Sequence, residues 1–429
     1  MQQSEEAYNK LLRKVTWRLL PFMFVLYIIS YLDRINISFA GAPMRSALNF
    51  NEEDFGFGVG IFFFGYCFFG VPSNMALQKI GARKWIALIM IVWGFISVFM
   101  AFIGNLPIFC VMRVLLGAAE AGFFPGMIFY LTKWFRKREH GMAVAKFMSA
   151  IPAAGILGGL ISAKILAMPP LLDLAPWKWL FIITGSPAII LGIAVLFYLP
   201  DGPEDAKWLT SEEKALLESR LEADSSGVSK ADISRKELLG TLIDAKVWQL
   251  ALLYFSVTFG MYGFQLWLPQ IIGSTANSDP SQTALMSSIP AAFQALGMIA
   301  IAKSSDRSGE RRWHFAGSAL LAVAGLVVAS VVPNQTISLA ALCVIAFGIW
   351  GTVGPFWALP RAFLAGSTAA AGIGLINSVG NLGGFAGPYI VGVIKHHSSN
   401  FAMSLLTMGV PLLLGAILVV MMPRPKEGT

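Results

Sequence analysis

Charge is scarce in this sequence. Asp, Glu, Lys and Arg make up 13% of its 429 residues, against about 25% in an ordinary globular domain. The length alone would suggest two or three soluble domains, but so few charges cannot give them a polar surface. Cysteine is also rare, and Cys67, Cys110 and Cys343 all sit in apolar runs. They make no disulfide framework, and no CxxC or Cys/His spacing points to a metal. The four histidines fall near segment ends. Nucleophile–base pairs, a Walker loop and GxSxG are missing too, which argues against an enzyme. No cofactor is expected.

What is abundant is apolar surface. Hydrophobic residues reach 56%, with 32 Phe and 12 Trp, and the mean hydropathy is +0.67. The solvent of such a chain is mostly lipid. A first apolar run over 17–40 is longer than a signal-peptide core of about 7–15 residues. A bilayer core about 30 Å thick needs about 20 apolar residues per helix. That ruler predicts an all-α membrane protein with twelve spans: 17–41, 55–78, 85–104, 107–132, 141–167, 178–199, 246–272, 282–303, 313–332, 336–362, 369–395 and 401–422. The chain divides into a six-helix bundle at 1–199, a polar loop at 200–244 and a second six-helix bundle at 245–429. Within the loop, Thr210-Ser-Glu-Glu213 reads as a capping box. Leu216, Leu217 and Leu221 follow it, so a short amphipathic helix on the membrane surface is expected.

The net charge of +8 has an orientation meaning. Lys and Arg collect on the cytoplasmic side of short loops. Here they collect before span one (Lys10, Arg13, Lys14, Arg18) and in every second loop: Lys79, Arg83, Lys84; Lys133, Arg136, Lys137, Arg138; Lys303, Arg307, Arg311, Arg312. The intervening loops carry little beyond Arg45, Lys178 and Lys395. Both termini are therefore expected in the cytoplasm, with the chain in a bacterial-type inner membrane. The basic balance implies lipid and orientation rather than nucleic acid.

The halves repeat each other at offsets of about 225 residues. Gly81-Ala-Arg-Lys-Trp85 returns as Gly309-Glu-Arg-Arg-Trp313, and Gly155-Ile-Leu-Gly-Gly159 as Gly380-Asn-Leu-Gly-Gly384. Pro125 pairs with Pro355, and Leu191-Gly192 with Pro200 echo Leu414-Gly415 with Pro423. Parallel six-span repeats are a transporter architecture with the substrate site between them. The GxxxG spacings suit close helix packing, and no ligand contact is expected of them.

The residues then resemble a known family. Tyr31-Leu-Asp-Arg-Ile-Asn-Ile-Ser-Phe-Ala40, Gly70-Val-Pro-Ser-Asn74, Gly81-Ala-Arg-Lys-Trp85 and Ala118-Ala-Glu-Ala-Gly-Phe-Phe-Pro-Gly126 carry the likeness in the first half. Trp267-Leu-Pro-Gln270, Ser305-Asp-Arg307, Gly309-Glu-Arg-Arg312, Phe356-Trp357 and Ile376-Asn-Ser-Val-Gly-Asn-Leu-Gly-Gly384 carry it in the second. The pattern resembles the anion:cation symporters of the major facilitator superfamily, which take tartrate, sugar acids, phthalate or hydroxyphenylacetate. The resemblance implies the major facilitator fold and loops that latch the halves together, with Arg83, Asp306 and Arg307 as gating residues. One departure is Gln78-Lys-Ile-Gly81, which stands where an Asp is common.

Ionisable residues inside a membrane are expensive and mark function. Four lie mid-span: Asp33, Arg34, Arg113 and Glu120. Their charges sum to zero. One added carboxylate leaves −1, and a proton on Asp33 or Glu120 restores neutrality, which is a physical reason for proton:anion symport. No histidine lies deep in a span, so the carboxylates must carry protons. The resemblance makes Asp33 and Glu120 the coupling pair and sets Arg34 against the substrate carboxylate. Arg113 is seven residues, two turns, before Glu120; it is either the partner of Glu120 or a substrate ligand. Tyr31 and Trp357 are polar-tipped side chains at cavity depth, and family positions matching Tyr66, Gln265 and Asn377 line the pocket.

The expectation is a monomeric, proton-coupled importer of an organic carboxylate, working by alternating access. The alternative is an organic-anion exchanger or exporter without net proton movement. Hydroxy or sugar acids and aromatic acids both stay open, while Ile151, Ala153, Phe264 and Trp357 favour a bulkier acid.

Overall fold

In hydrocarbon each backbone N–H and C=O must be bonded inside the protein, so an apolar chain of this kind folds as helices. The computed structural model describes residues 2–225, 240, 243–276, 278–363, 369–398 and 400–423, and it is helical almost throughout. Residues 226–239 and 241–242 of the expected loop, and 424–429 at the end, lie outside the described residues.

Span one is the 47-residue helix Gln2–Leu48. Span two is Glu52–Gly60 with Phe62–Ile80, span three Ala82–Phe99, and span four Leu106–Glu120 with Phe123–Thr132. Span five is Lys137–Met148 with Ala150–Leu166, and span six Pro176–Tyr198. After the linker helix Ser211–Ser225 come span seven Ala245–Ala276, eight Pro280–Ser308 and nine Arg312–Val331. Span ten is Gln335–Gly351 with Val353–Phe363, eleven Ala369–His396 and twelve Ala402–Met421.

Eleven of these spans are long and apolar enough to cross a membrane. Span eleven has the length, at 28 residues, but Asn377, Ser378, Asn381 and many glycines lower its hydropathy. The reason is its place. It packs against spans seven and twelve and, across the molecule, against span two, so its polar face need not meet lipid.

Three of the helix breaks follow from proline, whose ring crowds the carbonyl four residues back and lacks the N–H that would bond it. Span four breaks after Glu120, at Ala121, four residues before Pro125; span ten breaks after Gly351, four before Pro355, and span five after Met148, four before Pro152. The duplicated prolines thus break the fourth span of each half at one level. The repeated loops match as well. Gly81 (φ 92°) and Gly309 (φ 70°) are the positive-φ glycines of the structure, each turning the chain where an L side chain would be strained. Each loop then reaches the end of its own half's sixth span: Arg83 pairs with Asp201 at 3.0 Å, and the Arg312 guanidinium donates to the Met422 carbonyl.

The linker helix begins as expected. The Thr210 hydroxyl accepts from the Glu213 N–H (3.2 Å), and the Glu213 carboxylate accepts from the Thr210 N–H (2.9 Å). It does not lie free on a lipid surface, however. Leu217 is fully buried, and Lys14–Glu213 (2.7 Å) and Arg220–Glu5 (3.1 Å) tie the helix to the polar extension of span one. Span one is long enough to project beyond the bilayer and offer that platform, about 70 Å at 1.5 Å per residue. The Lys14 ammonium holds the Glu213 carboxyl below the usual carboxylate range.

Among the described residues the halves meet at one end and along the middle. Span two's Gly56 and Gly60 face the span-eleven backbone at Pro388 and Phe385. Phe55 meets the Trp267 ring edge-on at 5.3 Å. Gly155 and Gly159 of span five face Ala291 and Ser288 of span eight, and Ser281 donates to the Ala163 carbonyl (2.8 Å). Of the other GxxxG, Gly384 faces Phe63 across the seam, while Gly380 faces Tyr254 of its own half. Toward the opposite end Gly70 and Gly374 face open space, and Arg83 and Asp306 are each paired inside their own half. The molecule is closed at the end with few basic loops and open at the basic end.

Gly159 tests this seam, because a Cβ there would strike the Ser288 hydroxyl and the Ala284 carbonyl. Gly159→Leu should hold spans five and eight several ångströms apart while leaving each half folded. Spin labels at the closed-end tips of the two spans should report the wider distance. An unchanged distribution would show that the seam does not set the closed state.

Candidate functional site

The site forms where span one, bearing Tyr31, Asp33 and Arg34 in succession, passes the breaks in spans two and four. Neighbouring helix residues diverge by about 100°, so Asp33 and Arg34 face different surroundings. Arg34 turns to span four, where its Nη2 (2.7 Å) and Nε (3.1 Å) both donate to Glu120 Oε2. Its side chain keeps 13% exposure while that of Glu120 has none. The guanidinium also lies over the rings of Tyr66 (5.1 Å) and Phe62 (5.4 Å) of span two, contacts that favour a cation.

Arg113 does not take the place of Glu120's partner; Arg34 does. Arg113 is 1% exposed and donates to the Val59 carbonyl (3.1 Å), with Phe62 at 4.9 Å. The broken turn of span two at Gly60–Phe62 puts that carbonyl within its reach.

Asp33 faces inward to the first half. Its Oδ1 accepts from Ser97 Oγ of span three (2.8 Å) and Asn36 Nδ2 (3.4 Å), and Asn36 also donates to Thr184 of span six (2.9 Å). Asp33 is fully buried, and its Oδ2 has no partner; nor has Glu120 Oε1. Each acid is thus satisfied on one oxygen.

The second half supplies neutral groups. Tyr31 donates to Gln265 Oε1 across the molecule at 2.8 Å. Trp357 packs edge-on to Tyr254 (5.0 Å) and Phe356 (5.2 Å). Asn377 is exposed, while Phe264 is fully buried and lines nothing. That burial removes one of the residues behind the expectation of a bulky acid. Sequence reasoning missed three tyrosines: Tyr27, Tyr254 and Tyr262 join Tyr31 and Tyr66 within electrostatic reach of Arg34. Tyr27 and Tyr31 are one turn apart on span one, a signal that could have found the first of them.

With this geometry described, comparison with known proteins is decisive. The family model "Major Facilitator Superfamily" matches residues 23–388 and 250–428. The chain belongs to the major facilitator superfamily. A protein of Agrobacterium vitis named "Putative tartrate transporter" is 44% identical over 97% of this chain and 92% of its own length. The "Quinolone resistance transporter" of Acinetobacter baumannii is 38% identical over 95% of this chain and 93% of its own. The inward open structure of the xylose transporter XylE from E. coli shares the fold, with a TM-score of 0.77 at 14% identity over 96% of this chain and 97% of that one. This member of the superfamily is an integral membrane transporter and not an enzyme.

The Tyr31–Gln265 bond is testable because removing one partner strands the other. Tyr31→Phe leaves a buried amide oxygen unpaired and should cost about 1–3 kcal/mol of thermal stability in detergent. The double variant with Gln265→Leu should recover most of that loss. Additive losses would show that the two side chains do not interact.

Proposed function

We propose that this chain is a proton-coupled symporter that imports an organic carboxylate by alternating access, with Arg34 holding the anion and Asp33 and Glu120 carrying protons. The observation that carries the reading is the Arg34–Glu120 pair: a cation held at 2.7 Å by a buried acid, yet partly open to the cavity. Glu120 offers Arg34 one oxygen, and a substrate carboxylate can offer the guanidinium two. As it binds Arg34, Glu120 is released, and a proton on Glu120 keeps the buried site neutral. Asp33, set behind Arg34 with one unpartnered oxygen and no cation among its hydrogen-bond partners, is the second proton site.

The basic loops put the open end in the cytoplasm, so both termini face inside a bacterial inner membrane and the structure is inward-open. Tyr66, Trp357, Asn377 and Gln265 complete the substrate surface, with Tyr31 closing it toward the outside and Arg113 fixing the break of span two. Arg83, Asp306 and Arg307 latch the open end when it shuts. The name of the Agrobacterium relative favours tartrate, a small dihydroxy diacid, over a bulky aromatic acid. One chain holds both halves of the cavity, so a monomer suffices.

The test is proton flux. In liposomes with an internal pH dye, tartrate added outside should acidify the lumen beyond the leak of protein-free liposomes. Asp33→Asn should abolish accumulation driven by a pH gradient but keep tartrate exchange. Arg34→Ala should weaken tartrate binding about 10- to 100-fold, the worth of charge-assisted hydrogen bonds. Uptake with no proton movement would favour an exchanger, and full gradient-driven uptake by Asp33→Asn would take Asp33 out of the mechanism.

A further inference from the structure

A small pocket with a few polar groups on apolar walls, among them Ile35, Leu268 and Ala291, lies one turn beyond Arg34 toward the closed end. It is a small cavity of about 20 Å³ in the seam between the halves, lined by Ser38 of span one, Gly155 of span five, Gln265 of span seven, and Ser287 and Gln294 of span eight. Four residues on from Arg34, Ser38 sits about 6 Å along the helix axis. Gln294 is 1% exposed and its Oε1 has no partner. A Cβ on Gly155 would stand 3.5 Å from that oxygen, so the glycine leaves the room into which the amide points.

The lining selects the chemistry of an occupant. The Ser38 and Ser287 hydroxyls spend their protons on the Ile35 (2.6 Å) and Thr283 (2.8 Å) carbonyls, leaving lone pairs. Gln294 Oε1 is another acceptor, and glutamine amide nitrogens are donors. No charged side chain lines the space. A carboxylate would find no cation there and an ammonium no anion. A neutral O–H group, which both donates and accepts, fits the polar groups, and the carbon that bears it fits the apolar walls of Ile35, Leu268 and Ala291. The size suits one such group, since a water needs about 10–15 Å³.

We propose that this pocket is a hydroxyl-recognising subsite with Gln294 as its specificity-determining residue. In the closed seam it holds a water. When the seam parts, a substrate hydroxyl takes the water's place while the carboxylate goes to Arg34. This rests on the carboxylate-importer reading above and adds the residue that would recognise the acid's hydroxyl. Sites built around a hydrogen bond to a hydroxyl discriminate against analogues that lack it.

The experiment measures initial-rate uptake of labelled tartrate and of succinate, the same diacid without hydroxyls, by liposomes holding the full chain or Gln294→Leu. Gln294→Met runs beside it in case the first variant folds poorly. The tartrate KM should rise about tenfold, with the succinate KM and both maximal rates within about twofold. Equal rises for the two acids, or none, would overturn the subsite. If the unaltered protein carries neither acid, the substrate reading fails on its own, and the pocket is judged by a structure at a resolution that shows waters. An ordered water on Gln294 Oε1 supports the subsite, and a dry cavity overturns it.

Discussion

A charge placed among apolar helices must be paired or it cannot stay, since an isolated ion in a low-dielectric interior costs far more than folding can supply. Arg34 and Glu120 meet that demand with two hydrogen bonds to one oxygen. Such a pair is a poor source of net stability, because desolvation takes back most of the Coulombic gain. A pair only marginally better than its separated state is one that a competing carboxylate can displace. The aromatic faces of Phe62 and Tyr66 would keep Arg34 in place through the proposed change of partner. The proline break just beyond Glu120 ends the helix at the level of this pair.

The duplication is legible in these details. Pro125 and Pro355 break equivalent spans, and Gly81 and Gly309 make equivalent turns. The closed seam depends on small residues for the same reason in both halves. Lipid gives helices no hydrophobic drive to associate, so backbones must approach closely enough for dispersion to hold them. Gly155 and Gly159 allow that against span eight, as Gly56 and Gly60 do against span eleven.

Composition and charge placement showed the spans, the repeat and the mid-span charges, because a bilayer imposes length and polarity on each segment independently. Span eleven was placed by the same apolar ruler, although Asn377, Ser378, Asn381 and its glycines lower its hydropathy below that of the other spans. What stayed hidden depends on distances between segments. The spacing of Arg113 and Glu120 put them on one face of span four, but spacing within a helix could not show that span one brings Arg34 closer. Phe264 looked like lining and is core, because which face of a span meets the cavity is decided by its neighbours. The linker helix was foreseen down to its Thr210 cap, a local interaction. Its docking on span one was not, because Lys14 and Glu213 are 199 residues apart.

The halves are duplicated, but their charges are not. All four mid-span charges lie in the first half, and the second offers Gln265, Asn377 and other neutral groups at the same depth. That asymmetry matters for motion. An ion pair bridging the halves deep in the membrane would have to be broken in low dielectric each time the seam opened, stranding two buried charges at several kcal/mol each. Here the charged pair lies within one half, so the proposed opening would not break it. The side-chain bond that crosses between the halves at that depth is Tyr31 to Gln265, neutral on both sides. Such a bond contributes only about 0.5–1.5 kcal/mol net when both partners are rehydrated on opening. With charges in one half and neutral groups in the other, the proposed cycle would hold ions at the membrane centre and still separate the halves at low cost.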